Sequence, residues 1–179
     1  DGSNQGGQTE QKEYVYVPEY LELDDNTNSS YSNMTVQGDK LYYTNYQWDE
    51  ASGESKVVLG AYSLTDGSRE DLPITINADG GGIYSMQADA EGNIYTAEFE
   101  WNATEGDDAY TQQTTVLHKY DASGTELMAQ DITDIMQQDE NNSYVGSMCL
   151  DDQGRFYISS DSLIRLFGSD GQFQGAVQT

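Results

Sequence analysis

Two tryptophans stand at equivalent points of a repeated aromatic segment. The stretches LYYTNYQWD and IYTAEFEWN begin at Leu41 and Ile94 and align without a gap, so that Trp48 matches Trp101. The polar residues beside them are Asp49, Glu98, Glu100 and Asn102. An indole covers the C–H face of a pyranose while acids and amides bind its hydroxyls, and a peptide or cationic ligand suits the same groups. The pattern predicts either a ligand-binding edge at these six residues or ordinary aromatic packing between sheets.

The residues that most often carry catalysis form no recognisable set. His118, within VLHKY, is the single imidazole, and Gly60 and Arg165 occupy its place in the other repeats, which predicts a structural or surface histidine. Cys149 is the single cysteine and lies in an apolar run, so we expect a buried, inert thiol. No catalytic residue is assigned. Paired carboxylates for glycoside hydrolysis stay an open alternative among the 32 acids.

Two acidic stretches have some of the oxygen ligands that calcium uses. Asp24, Asn26 and Asn28 alternate in the first, and DAEGN contains Asp89, Glu91 and Asn93 in the second. Both lack the later bidentate glutamate of a calcium loop, and turns rich in Asp and Asn form without an ion. One His and one Cys cannot supply a usual zinc set. We expect no cofactor and no metal site, with calcium as the alternative.

The elements that position these residues recur along the chain. The pair Leu41-Tyr42 returns as Ile94-Tyr95 and as Phe156-Tyr157, each time after a polar turn and a strand that contains a methionine. Each copy continues into a third strand, a Gly turn and a closing strand. Four short strands at a period of about 50 residues are typical of a β-propeller blade. The sequence predicts an all-β fold with three four-stranded blades.

The predicted domain organisation follows from these repeats. Its parts are a flexible tether (1–13), an N-terminal strand (14–29), blade 1 (30–78), blade 2 (79–136) and blade 3 (137–179), with a short helical turn expected within 132–138. Propellers close with four or more blades, so three form a partial ring. We expect either an open fragment of a longer propeller or half of a six-bladed ring made by a head-to-tail homodimer. The unpaired side faces of the first and last blades should then be apolar.

Composition excludes some partners. The net charge of −25 would repel nucleic acid and anionic lipid heads, and no run approaches the roughly 18 apolar residues of a membrane span. Fourteen Tyr, 4 Phe and 2 Trp supply an aromatic core. We expect a folded, soluble domain whose partner is a carbohydrate or a protein.

The motifs GNIYTA and KYDASGTEL resemble blades of the NHL, YVTN and TolB-like propellers over roughly residues 30 to 179. An acidic propeller behind a Gly- and Gln-rich tether is also similar to the N-terminal region of surface lipoproteins of gut Firmicutes that end in a family-1 extracellular solute-binding domain. That second resemblance implies an extracellular or cell-surface location, with a lipid anchor upstream of residue 1.

These observations together favour a non-enzymatic extracellular binding or interaction module, part of a larger bacterial surface lipoprotein for carbohydrate or solute capture. One alternative is a glycan lyase or hydrolase whose catalytic residues lie in absent blades. The other is a scaffold that binds no small molecule. The fold alone does not decide among the three.

Overall fold

A computed structural model describes most of the chain. It covers residues 17–18, 20–21, 29–78, 80–102 and 112–179, with only the backbone of Ser29, Asn77, Asn102 and Gln112. The tether expected at 1–13 lies outside the described residues. So does the N-terminal strand expected at 14–29, apart from residues 17–18, 20–21 and the first residue of β1.

Twelve strands form three separate sheets in the part of the chain that the structure describes. Blade 1 contains β1 (Ser29–Gln37), β2 (Lys40–Asp49), β3 (Glu54–Ser63) and β4 (Arg69–Asn77). Blade 2 contains β5 (Gly81–Ala88), β6 (Ile94–Asn102), β7 (Gln112–Tyr120) and β8 (Glu126–Asp131). Blade 3 contains β9 (Ser147–Leu150), β10 (Phe156–Ser159), β11 (Leu163–Phe167) and β12 (Phe173–Gln178). Each sheet is an antiparallel meander in which neighbours in sequence are neighbours in space.

The three sheets are arranged side by side through their first strands. Strand β5 contacts β1 on one side and β9 on the other. Gln87 of β5 joins all three, because its Oε1 accepts from Thr35 Oγ1 at 3.2 Å and its Nε2 donates to the Met148 carbonyl at 3.1 Å. First strands gathered at the centre with four-stranded sheets leading away from them are the arrangement of a β-propeller. The all-β prediction of a partial propeller with three four-stranded blades is confirmed.

Each sheet has two faces with different neighbours. We call forward the face that carries Tyr42, Tyr95 and Tyr157 in the three blades, and back the opposite face, which carries Tyr43, Thr96 and Ile158. The forward face of one blade packs on the back face of the next. Between blades 1 and 2 the core contains Tyr42, Leu59, Ala61, Ile74, Met86 and Ile94. Between blades 2 and 3 it contains Tyr95, Ala97, Leu117, Met148, Phe156 and Ile158.

Three turns repeat the same local geometry at the sequence Asp-x-x-Gly. Asp89, Asp121 and Asp151 each accept, through Oδ1, the backbone N–H groups of the second and fourth residues that follow, at 2.8–3.1 Å. The glycine between them has a φ of 71° to 82°, a left-handed conformation that other residues adopt at a cost. Burial raises the pKa of Asp151, but hydrogen bonds from Arg155 and Gln153 outweigh it and hold that pKa at about 2. The carboxylates therefore build the turns.

A short connection links blades 2 and 3 and is tied down by a buried cation. It contains helix α1 (Thr133–Met136) and a 3-10 turn (Glu140–Asn142), and α1 lies where the sequence predicts a helical turn. Arg165 of β11 is 2% exposed, and its guanidinium donates to the carbonyls of Asn142 (2.8 Å) and Met136 (3.3 Å). Burial lowers the pKa of Arg165. The side chain thus satisfies backbone carbonyls that the irregular connection leaves between two sheets.

The prediction for Cys149 was wrong, since the thiol is exposed. Side chains alternate along β9, so Met148 enters the core between blades 2 and 3 while Cys149 lies on the forward face of blade 3. An apolar run in a strand does not bury every residue when one face of the sheet has no neighbour.

Candidate functional site

The two tryptophans lie at matching places on neighbouring blades. Trp48 is the last residue but one of β2, Trp101 is the last but one of β6, and both belong to forward faces. Their exposed fractions are 43% and 42%. Trp101 packs edge-to-face on Phe99, with ring centroids 6.3 Å apart. Each indole has a large area open to solvent, and we call this pair the indole edge.

The carboxylate next to Trp48 takes part in a turn. Asp49 is exposed, and its Oδ1 accepts the N–H groups of Ala51 (2.8 Å) and Ser52 (3.4 Å). These backbone hydrogen bonds lower the pKa of Asp49, so the carboxylate stays ionised. Because side chains alternate along β2, Asp49 lies on the back face and Trp48 on the forward face. Because the turn uses Oδ1, the second oxygen, Oδ2, is the atom through which Asp49 would accept from a hydroxyl or cationic ligand.

The acids near Trp101 are not brought together with it. Glu98 and Glu100 lie on the back face of β6, whereas Trp101 lies on the forward face, because side chains alternate along a strand. Glu100 is exposed, and Glu98 is 9% exposed. The backbone of Asn102 ends β6, while its side chain and residues 103–111 lie outside the described part. Sequence proximity thus groups residues that the pleat separates.

Glu98 instead belongs to a buried polar cluster between blades 1 and 2. Its Oε1 accepts from the hydroxyls of Thr96 and Tyr120, the latter at 3.1 Å. Its Oε2 lies 3.7 Å from His118 Nε2, which is an ion-pair distance but too long for a hydrogen bond. His118 Nδ1 lies 2.9 Å from Glu126 Oε2 and the imidazole stacks on Tyr120. His118 therefore lies between two carboxylates.

Burial dominates the electrostatics of this cluster. It raises the pKa of Glu98, while the charge of His118 and the hydrogen bonds from Thr96 and Tyr120 oppose the rise. Burial and the neighbouring Glu98 charge together raise the pKa of Tyr120. Burial thus favours the protonated form of Glu98, within a cluster of side chains that links strands β6, β7 and β8.

A cavity on the back face of blade 1 was missed by sequence reasoning. It has a volume of about 430 Å³ and is lined by Tyr31, Tyr43, Asn45, Gln47, Arg69, Glu70 and Asp71. Asn45 is 7% exposed, and its Oδ1 is buried without a hydrogen-bond partner among the described residues. One signal in the sequence could have drawn attention to it: Asn45 aligns with Glu98 when Trp48 is placed over Trp101.

The acidic turns give no metal centre in the described structure. Asp89 Oδ1 accepts two backbone N–H groups, and its Oδ2 accepts from Asn93 Nδ2 (2.7 Å) and the Tyr95 hydroxyl (2.9 Å). Over residues 17–18, 20–21, 29–78, 80–102 and 112–179, no three His, Cys, Asp or Glu side chains are placed to hold an ion. Asp24, Asn26 and Asn28 lie outside those ranges, so the calcium alternative there stays a prediction.

Comparisons with known proteins give structural likeness only. No protein-family model matches the chain, and no curated protein matches it significantly. The β-propeller domain of the Trilobed protease from Pyrococcus furiosus, described as having an open velcro topology, is similar with a TM-score of 0.48 and 9% identity over 86% of this chain. A protein of unknown function from Bacteroides caccae is similar with a TM-score of 0.42 and 14% identity over 84%. The chain spans 44% and 57% of those two proteins.

The helices give no indication of a membrane span. Within the described residues, none has the length and the apolar composition needed to cross a bilayer.

Proposed function

We propose that the chain is a non-catalytic binding module that captures carbohydrate or a related solute outside the cell, as part of a longer bacterial surface lipoprotein. The observation that carries the proposal is the indole edge: Trp48 and Trp101 are each more than two-fifths exposed at equivalent positions of adjacent blades. Large aromatic rings held at a surface by a rigid sheet are the usual contact for a sugar ring or another flat ligand.

The charge of the molecule supports an uncharged ligand or one with basic groups. At −25, the chain repels polyanions, whereas a neutral glycan is not repelled. The extracellular location and the lipid anchor belong to this proposal and rest on the resemblance of the tether and the blades to bacterial surface lipoproteins.

The test uses the fact that the chain has only two tryptophans. In Trp48→Phe and Trp101→Phe, the remaining indole reports on its own surroundings, so a titration with soluble oligosaccharides followed by tryptophan fluorescence assigns binding to either blade. Because more than two-fifths of each side chain is exposed, we expect Trp48→Ala and Trp101→Ala to keep the circular dichroism spectrum and to weaken binding at least tenfold.

Phe173→Ala is the matched control, because Phe173 is a 40% exposed aromatic residue on blade 3, far along the chain from both indoles. It should leave binding unchanged. If both Trp variants bind as the wild type does, the indole edge is not the site. If either variant unfolds, the ring serves packing instead.

A further inference from the structure

The back face of blade 1 contains a buried polar atom that the described residues do not satisfy. Asn45 Oδ1 has no hydrogen-bond partner among them, although the residue is only 7% exposed. Buried amide oxygens are paired in the great majority of cases, so an unpaired one calls for a partner from outside the described residues. Asn45 also lines the 430 Å³ cavity, and that cavity is where the partner would enter.

The other two blades show why Asn45 Oδ1 has no partner among the described residues. In blade 2, Glu98 occupies the place of Asn45, and His118 on the third strand reaches within 3.7 Å of it. In blade 3, Ser160 follows β10 at the same place, and Arg165 of the third strand donates to its hydroxyl at 3.1 Å. The third strand thus supplies the polar partner in both blades.

In blade 1 the corresponding third-strand residue is Gly60, which has no side chain to offer. Gly60 pairs with Tyr43, as His118 pairs with Thr96 and Arg165 with Ile158. A Cβ at Gly60 would lie 2.5 Å from Tyr43 Cζ, so the tyrosine ring fills the space that His118 and Arg165 use in the other blades. In blade 1, therefore, no polar side chain of the third strand lies at this position. The ring of Tyr43 lies there instead, beside the cavity that Asn45 lines.

The chemistry of the lining indicates the class of ligand. Tyr31 and Tyr43 pack edge-to-face, with ring centroids 5.4 Å apart, and provide apolar surface. Among the polar lining residues, Arg69 is able to donate hydrogen bonds to a ligand and Asp71 is able to accept them. The third charged residue, Glu70, is paired with Lys40 at 2.7 Å. A ring with apolar C–H faces and hydroxyls that both donate and accept matches this mixture, since a hydroxyl can donate to Asn45 Oδ1 and accept from Arg69.

We propose that this cavity binds one ring of a neutral saccharide, with Asn45 Oδ1 accepting from a sugar hydroxyl. The site is separate from the indole edge, because Asn45 lies on the back face of β2 and Trp48 on its forward face. The inference shares the ligand class of the proposed function but not its residues, so each can fail alone.

The test measures binding of a panel of methyl glycosides (glucoside, galactoside, mannoside, xyloside and N-acetylglucosaminide) to the full chain by isothermal titration and saturation-transfer NMR. The decisive variant is Asn45→Leu. An apolar side chain of similar size removes the unpaired buried atom, so the variant should melt at the same or a higher temperature than the wild type. We expect at least a tenfold loss of affinity for the bound glycoside. Asn45→Asp, which keeps an acceptor oxygen, should retain measurable binding.

A second variant and a control variant complete the design. Arg69→Met should also weaken glycoside binding, while Phe173→Ala on blade 3 should leave it unchanged. If Asn45→Leu binds every glycoside as the wild type does, the inference is wrong while the proposed function stands. If no glycoside binds but amino acids bind with an affinity that depends on salt concentration, the cavity binds a charged ligand and the inference is wrong. If light scattering shows a dimer that Asn45→Leu disrupts, the occupant is a second copy of the chain and the inference is wrong.

Discussion

Glu98 shows how one residue can be misread when neighbours in sequence are taken as neighbours in space. The sequence groups it with Trp101 as a ligand contact. The pleat of β6 instead puts it on the back face of blade 2, where Thr96, Tyr120 and His118 of the same blade surround it. No described contact joins it to the indole. The alternation of side chains was available from the sequence, but the burial of the back face was not, because it depends on how closely blade 1 approaches.

The raised pKa of Glu98 makes a prediction about stability and pH. The folded state holds the proton more tightly than the unfolded chain, whose carboxyl titrates near its ordinary value of 4.5. The contribution of Glu98 to stability is therefore present below pH 4.5 and is lost as the pH rises through the folded pKa. Glu98→Gln is neutral at every pH. Its melting temperature should therefore match that of the wild type below pH 4.5 and exceed it by several degrees in mildly alkaline buffer.

The matched control for this experiment is Glu100→Gln, which changes an exposed carboxyl on the same face of β6. Its melting temperature should follow that of the wild type across the whole pH range. A Glu98→Gln protein that is less stable than the wild type in alkaline buffer would mean that the hydrogen bonds from Thr96 and Tyr120 to the carboxylate outweigh burial, and the predicted sign of the effect would be wrong.

At the scale of the strands and turns, the sequence was informative because its signals are local. The Asp-x-x-Gly turns set where strands end, and their carboxylates satisfy the backbone of the same turn, so the meanders follow from short-range chemistry. Local signals did not predict the pairing of Gly60 with Tyr43 or the cavity beside Asn45. Both depend on which side chains from neighbouring strands pack against each other.

Two glycines with nearly the same backbone allow the contribution of blade packing to be measured. Gly53 and Gly124 have φ values of 73° and 81°, but a Cβ at Gly53 would meet open space while one at Gly124 would lie 2.6 Å from the Pro73 carbonyl of blade 1. Gly53→Ala should cost about 1 kcal/mol from the left-handed backbone alone. Gly124→Ala should cost about 2–4 kcal/mol, because it adds overpacking between blades.

Urea unfolding of both variants followed by circular dichroism checks this difference. Equal losses of unfolding free energy in the two variants would show that the turn at Gly124 does not press on blade 1, and close packing of the two blades at this turn would be contradicted.

At the scale of the whole molecule, the sequence predicted the three repeats. It predicted the composition of the exposed side face correctly for blade 3 but not for blade 1. Apolar side faces were expected on the first and last blades. The forward face of blade 3 is apolar, as predicted. It carries Cys149, Tyr157, Ile164, Leu166 and Val177, of which Val177 is 67% exposed. The cavity on the back face of blade 1 is polar. The sequence could not reveal this because the blade that covers a face in a closed ring decides its composition.

The exposed thiol reports on whether the forward face of blade 3 is covered in solution. Cys149 is the single cysteine, so a chromogenic disulfide reagent should titrate one thiol per chain in native buffer, at a rate within about tenfold of that in urea. Cys149→Ser gives the blank. A thiol that reacts only after unfolding would mean that this face is covered in solution. Light scattering at twice 19.8 kDa would then identify a second chain as the cover, as in the six-bladed ring.

The measurement that tests the central claim most directly is incubation of the chain with a panel of polysaccharides, assayed both by co-sedimentation with the insoluble ones and by mass spectrometry of the soluble products. A binding module should sediment with at least one polysaccharide, lose that behaviour in the Trp48→Ala, Trp101→Ala double variant, and release no oligosaccharide. Released products would show an enzyme instead. Sedimentation with none of them, in a chain that stays folded, would contradict carbohydrate capture and leave the scaffold alternative.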